Sequence, residues 1–258
     1  MKLIKLLLKK IFRHKFSIYI RNLIGVRPPI FLLSLDKKNI STSDAFFWRT
    51  DNNYHTIFKF SDILNLFFKD NSSEVEILFY DKNNKLIKSK KFLNIELSNK
   101  LVIDINFLDG IKDYGVFYIF HRYDNYSGDD LIISNRCYVG FSLKDSLSSF
   151  VHGNQHVRYQ SLDAEHDGSD MVKSSFFNNR YRIQNSFLDF TKSELFFVNP
   201  TSKKIDFSIG NIRHRLGKNC SIIIDIGSKE SITISSRCMF LRPIVFNYKD
   251  DFYDVYHA

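Results

Sequence analysis

"EILFYDKNNKLI" (residues 76–87) and "ELFFVNPTSKKI" (residues 194–205) are the stretches on which the fold reading turns. Each opens on a Glu, runs through apolar β-branched and aromatic residues, breaks at an Asn/Asp turn and resumes as a second apolar run. Val, Ile, Phe and Tyr suit a pleated surface, while Asn, Asp, Ser and Pro initiate turns. The two stretches align at an offset of 118. Each precedes an x-I-D-I strand, "LVIDI" (101–105) and "IIIDI" (222–226), at an offset of 121. "ISNRC" (133–137) and "ISSRC" (234–238) also match, but their offset of 101 does not extend the same alignment. Two origins account for this: an internal duplication, or the chance likeness of hairpins in a chain rich in Lys, Ile and Asn.

Outward from these stretches, "GVFYIFHR", "LIISNRCYVGFS", "KIDFSI" and "SITISSRCMFL" also read as strands. Strands without alternating helices argue for antiparallel sheets. The expected fold is all-β: two tandem antiparallel β-sandwich domains preceded by a basic amphipathic N-terminal helix. The expected boundaries are residues 1–28 for the helix, 40–150 for the first sandwich, 151–185 for a polar inter-domain segment and 186–250 for the second sandwich. "SDILNLFF" (61–68) reads as a short helix capped by Ser61 or Asp62.

The succession strand–"NPTSKKI"–strand–"IIIDI"–"SITISS" is similar to the small β-sandwich of the sensory-rhodopsin-transducer type, over roughly 60 residues of each half. In that family a hairpin strand ending in Asn or Asp is followed by a late I-x-I-x-S strand. The resemblance implies a non-catalytic ligand-binding or protein-binding sandwich, with carbohydrate as a ligand class. It carries over no functional residue.

The net charge of +9 looks like a nucleic-acid signal until it is located. Lys2, Lys5, Lys9, Lys10, Arg13, Lys15, Arg21 and Arg27 precede the first acid, Asp36. Removing those eight from the 37 basic residues leaves 29 against 28 acidic ones, so the body is close to neutral. A body that tracks phosphates is therefore not expected. On a helical wheel Lys2, Lys5, Lys9 and Arg13 oppose Leu3, Ile4, Leu7, Leu8 and Ile11. A basic amphipathic segment of this kind suits an anionic membrane surface, with Lys2, Lys5, Lys9, Lys10 and Arg13 as its contacts. Docking on the body or on a second subunit is the other reading. A charge every few positions excludes a spanning helix, so the expected location is cytoplasmic, peripheral on the inner membrane. Cys137, Cys220 and Cys238 are odd in number and lack CxxC spacing, which points away from a disulfide framework.

No P-loop, G-x-G-x-x-G, G-x-S-x-G or H-E-x-x-H signature is present, so enzymatic function has no positive support. No cofactor is implied. The densest polar stretch is "FVHGNQHVRYQSLDAEHDGSDMV" (150–172). Asn154, His156, Arg158, Tyr159 and Asp167 supply the amide, Arg fork, carboxylate and aromatic ring that hold a sugar. Trp48 and Arg49, in "FFWRTDNNYHT", form a second such set. A satisfied inter-domain hydrogen-bond network is the alternative for both. His152, His156 and His166 are candidate metal ligands, although their spacing matches no metal motif. Two functions follow: a non-catalytic protein binding a carbohydrate-like ligand or a partner protein in bacterial surface-glycan or envelope metabolism, or a metal-dependent enzyme built on the three histidines.

Overall fold

Residues 45–48, Ala-Phe-Phe-Trp, offer no polar position to turn toward water, so a strand there has to be covered on both faces. In the computed structural model all four are fully buried. The structure describes residues 40–68, 74–93, 95–122, 132–135, 137–144, 146–161, 164–167, 174–184, 189–199, 203–229, 231–238, 241–250 and 252–258, together with Ile4, Leu8, Ile11, His14, Phe16, Ser17 and Ile20.

The strands of the first half are β1 (Ile40–Arg49), β2 (Tyr54–Phe60), β3 (Glu74–Asp81), β4 (Leu86–Phe92), β5 (Asn99–Ile103), β6 (Tyr114–Arg122), β7 (Ile132–Asn135), β8 (Tyr138–Leu143) and β9 (Ser149–His152). They continue with β10 (Asn154–Ser161), β11 (Ala164–Asp167), β12 (Ser174–Gln184), β13 (Lys192–Val198) and β14 (Ile205–Ile209). The last five are β15 (Ile212–Leu216), β16 (Ser221–Gly227), β17 (Ser231–Cys238), β18 (Ile244–Lys249) and β19 (Phe252–His257). The helix expected near residue 63 is present as α1 (Ile63–Phe68), and Asp62 caps it by accepting the Asn65 N–H at Oδ1, 3.0 Å.

Four sheets result. The first runs β11-β10-β1-β6-β3-β4, with β7 parallel to β1; the second is β5-β2-β8-β9, the third β16-β13-β18-β19 and the fourth β12-β17-β14-β15. Where β7 lies along the first part of β1, the Ser43 and Ser41 hydroxyls accept the N–H groups of Ile119 (2.9 Å) and His121 (3.0 Å). Those side chains keep β6 attached where the ladder is interrupted.

The expected pair of tandem sandwiches is not what forms: the sheets are arranged as the blades of a four-bladed propeller. The physical reason lies in strands buried on both faces. Five consecutive residues of β3 (Val75 to Phe79) and six of β13 (Ser193 to Val198) are buried. In β13, Phe196 and Val198 join the core of the first half, while Leu195 and Phe197 join the core of the fourth sheet. Phe47 of β1 stacks on Phe196 with centroids 3.7 Å apart, and Phe141 of β8 meets Phe246 of β18 edge-on at 4.9 Å. An aromatic pair of this kind contributes about 0.5–1.5 kcal/mol beyond its area. One core therefore runs through both halves, while a second lies wholly within residues 183–245.

The duplication also fails to appear in the pairing. β3 and β4 form a hairpin within one sheet, whereas β13 and β14, their counterparts in the alignment, lie in different sheets. "ISNRC" supplies the short parallel β7 and "ISSRC" the central antiparallel β17. Residues 151–185 are not a connector either: β10 pairs with β1 and β12 with β17. Most of the expected N-terminal helix lies outside the described residues. Six of its seven described residues are exposed, and Lys2, Lys5, Lys9, Lys10 and Arg13 lie outside the described residues.

Candidate functional site

Gly140 lies in the interior of β8, where a glycine marks a close approach. The ring of Phe150, its cross-strand partner on β9, lies over the Gly140 backbone: a Cβ at Gly140 would come within 2.5 Å of Phe150 Cε1. The next row of the same face pairs Tyr138 with His152, ring centroids 4.8 Å apart and tilted by 38°. Lys59 of β2, opposite Tyr138, holds its Nζ 4.7 Å from the Phe150 ring centroid. On the far side of β2, Lys100 and Val102 complete the two rows opposite Lys59 and Ile57. Tyr138 is 50% exposed and Phe150 39%, an unusual allowance for aromatic side chains, and His152 and Lys59 are exposed beside them. The outer face of the second sheet is thus an aromatic platform with ammonium donors along it, about 14 Å across its four strands.

The platform is held from behind. His257 of β19 donates through Nε2 to the carbonyl oxygens of His152 (3.0 Å) and Gly153 (3.2 Å). Burial pulls the His257 imidazole below its ordinary pKa, against those carbonyls, which pull it up. Val255 N–H donates to Ser149 Oγ at 3.1 Å, tying β19 to β9 a second time. Gly153 itself is a crossing point where the chain leaves the second sheet for the first. A Cβ there would meet Asp44 Cβ at 2.6 Å and the Phe46 ring at 2.7 Å. The chain thus changes sheet between β9 and β10.

The residues expected to bind ligand divide into two groups. Asn154, His156, Arg158, Tyr159 and Asp167 lie on the β10–β11 hairpin, with Asn154 opposite Ala45, Arg158 opposite Ser43 and Tyr159 opposite both Thr42 and Asp167. Register separates the histidines. Asp167 faces Tyr159, which places His156 three positions further along its strand from that pair, about 10 Å. His152 belongs to a different sheet. Among the described residues no three His, Cys, Asp or Glu side chains come together as metal ligands.

Trp48 and Arg49 form the second group, and both are fully buried with protein partners. Trp48 Nε1 donates to the Tyr80 carbonyl at 2.9 Å. Arg49 donates through Nε and Nη2 to Asp51 (2.8 Å each) and through Nη1 to Glu194 Oε2 and Tyr248 Oη (3.0 Å each). Tyr248 in turn donates to Glu194 Oε2 at 2.7 Å, and Lys192 to Oε1 at 2.8 Å. The Tyr54 ring lies 4.1 Å from the guanidinium carbon. Burial alone would lower Arg49, but the hydrogen bonds to Asp51 and the charges around it hold it above the ordinary value. Burial would likewise raise Glu194, yet Arg49 and then Lys192 pull the carboxyl below its usual range. With four of five guanidinium N–H groups committed, Arg49 is a tie between the two halves of the chain.

Sequence reasoning named His152 as a metal ligand and passed over Tyr138, Phe150 and Lys59. The available signal was the alternation in "CYVGFS" and "SFVHG", which sets Tyr138 against His152 and Phe150 against a glycine once the strands pair. The three thiols offer no further chemistry: burial pushes Cys137 and Cys238 up to about 12, and Cys220 upward. No protein-family model matches the chain, and no curated protein matches it.

Proposed function

We propose that the protein is a non-catalytic binding protein for a carbohydrate-like ligand, carried by the aromatic platform on the outer face of the second sheet. One observation supports this most directly: Tyr138, Phe150 and His152 are gathered and left exposed on one sheet face, beside Lys59. An aromatic face carries partial negative charge, and the axial C–H bonds of a pyranose carry the complement, so ring stacks on ring. Lys59 and Lys100 bring ammonium donors to hydroxyl oxygens at the margin, and the long lysine stem lets Lys59 move off the Phe150 ring as ligand arrives.

The N-terminal segment adds peripheral membrane association in the cytoplasm, at the inner membrane, through Lys2, Lys5, Lys9, Lys10 and Arg13. Among the described residues no helix is long and apolar enough to cross a membrane. The role is in surface-glycan or envelope metabolism.

The test is an array of neutral oligosaccharides probed with full-length protein, Tyr138→Ser and Phe150→Ser. Bound oligosaccharides are expected to weaken about tenfold or more in either variant, the scale of one lost aromatic stack. Equal binding by wild type and variants, or no bound oligosaccharide, sinks the reading. Deleting residues 2–25 is expected to release the protein from phosphatidylglycerol vesicles.

A further inference from the structure

Register sorts the outer face of the second sheet by chemistry. One row, taken across β9, β8, β2 and β5, reads His152, Tyr138, Lys59 and Lys100; the next reads Phe150, Gly140, Ile57 and Val102. The first row is polar and carries the ammonium groups, and the second is apolar. The two rows are about 7 Å apart, two residues along each strand.

The first row contains a pairing that works against the fold. Lys59 stands directly opposite Lys100, both side chains are exposed, and like charges facing each other across a strand pair are destabilising. Among the described residues no carboxylate lies within ion-pair distance of either ammonium group. Lys82, Lys88 and Lys192, by contrast, each meet an acid: Asp113 at 3.0 Å, Asp109 at 2.9 Å and Glu194 at 2.8 Å. Lys59 instead holds its Nζ over the Phe150 ring, 4.7 Å from the centroid. At an exposed site such a contact is weak. Phe150 thus has the Gly140 backbone beneath it and the Lys59 ammonium above.

That arrangement discriminates between ligands. A sugar ring that stacks on Phe150 has to take the place of the ammonium. A neutral sugar offers Lys59 hydroxyl oxygens in return. An acidic sugar offers a carboxylate, which forms charge-assisted hydrogen bonds and also relieves the repulsion between Lys59 and Lys100. Single-stranded nucleic acid likewise combines rings with anions, but it is held by a groove of cations that tracks its backbone. Here the two lysines are neighbours at one point, one strand spacing apart, beside an apolar row. That suits an isolated anionic group next to a stacked ring.

We propose that the outer face of the second sheet selects acidic saccharides: a sugar ring displaces the Lys59 ammonium from Phe150, and its carboxylate is shared by Lys59 and Lys100. This rests on the platform reading and names its ligand class. The probes are trigalacturonate and its fully methyl-esterified form, which differ in charge and keep the same sugar rings, titrated into full-length protein at low and at physiological salt. Wild type is expected to prefer the acid about tenfold at low salt, the scale of one hydrogen bond to a charged group, and added salt should narrow the preference. Lys59→Gln/Lys100→Gln should bind acid and ester alike, and the ester at least as well as wild type does, since no ammonium then covers Phe150. Phe150→Ser should weaken both. Equal binding of acid and ester by wild type overturns the selection. So does a preference that survives in the double variant, as it would if the N-terminal cations held the acid. In both cases ester binding that falls in Phe150→Ser leaves the platform reading standing, whereas no binding of either saccharide removes both. The selection also fails if single-stranded oligodeoxythymidylate or phosphatidylglycerol vesicles bind more tightly than the acid and lose that binding in the double variant. Finally, the urea midpoint of Lys59→Gln/Lys100→Gln at low salt is expected at or above that of wild type. A lower midpoint would show that the lysines serve the fold, and the proposal would fall.

Discussion

Two arginine–carboxylate pairs of the molecule, Arg49–Glu194 and Arg215–Asp206, are of opposite standing. Arg49 and Glu194 meet at 3.0 Å with both side chains almost wholly buried. Arg215 and Asp206 meet at 2.6 Å with about two thirds of each side chain in water. The shorter contact is the less consequential one. Water and salt screen the exposed pair, and holding two long side chains together costs them entropy. The buried pair has lost its hydration, so each charge depends on the partners the fold supplies. Distance alone is a poor guide to what a contact does. Burial decides, together with the number of other groups committed to the same charge.

The largest effect should come from Arg49→Ala. It leaves Glu194 buried beside Tyr248 with only Lys192 to answer its charge, and it opens space against the Tyr54 and Phe246 rings. A loss of about 3–5 kcal/mol in urea unfolding is expected, the usual consequence of removing one member of a buried pair. A loss under about 1 kcal/mol, the range of surface pairs, would erase the distinction drawn here. Because Arg49 bridges positions 145 residues apart in sequence, the variant should also unfold less cooperatively.

A second contrast lies in the response to acid. Glu194 is held below its usual range in the folded protein, so its contribution is fully present above the unfolded value near 4.5 and is lost as pH falls through the folded one. Glu194→Gln should therefore be less stable than wild type at pH 7, and the gap should narrow below pH 4.5. Parallel stability–pH curves for the two proteins would contradict this. His257 acts in a milder window. Its folded value is lowered, so its contribution is present above the unfolded value near 6.5 and is lost as pH falls below that through the folded one. His257→Gln should flatten the stability curve on the acid side of pH 6.5 and leave the slope near pH 4 unchanged, since that slope belongs to Glu194.

The same contrast explains how far the sequence could be read. Period and turn chemistry are local, so the strands around "EILFYD", "ELFFVN" and "IIIDI" and the Asp62 cap were legible. Partner choice is not local. Apolar burial is non-directional, and nothing in "ELFFVN" states that Phe196 will stack on Phe47 while Phe197 turns to Phe207. Its unbroken apolar run did signal a strand covered on both faces, which a sandwich strand with one wet face is not. Arg49 was singled out for its neighbours in sequence, whereas its partners Glu194 and Tyr248 lie in another sheet. Likewise the fourth sheet unites Arg180 and Arg182 of β12 with Arg213 and Arg215 of β15, strands that each read alone as ordinary with a polar side.

The smallest effect should be that of Arg215→Ala. The arginine is exposed, its partner Asp206 is exposed, and the β14–β15 pairing beneath them is held by backbone bonds and by Ile205, Phe207 and Leu216 on the inner side. Removing the pair leaves no charge stranded out of water, since Asp206 can hydrate at once. The urea midpoint of the variant should coincide with that of wild type, in low salt as in high. A midpoint shift approaching that of Arg49→Ala would mean that the exposed face stabilises the fourth sheet. The arginines there would then serve the fold, and exposure would have ceased to separate the two pairs.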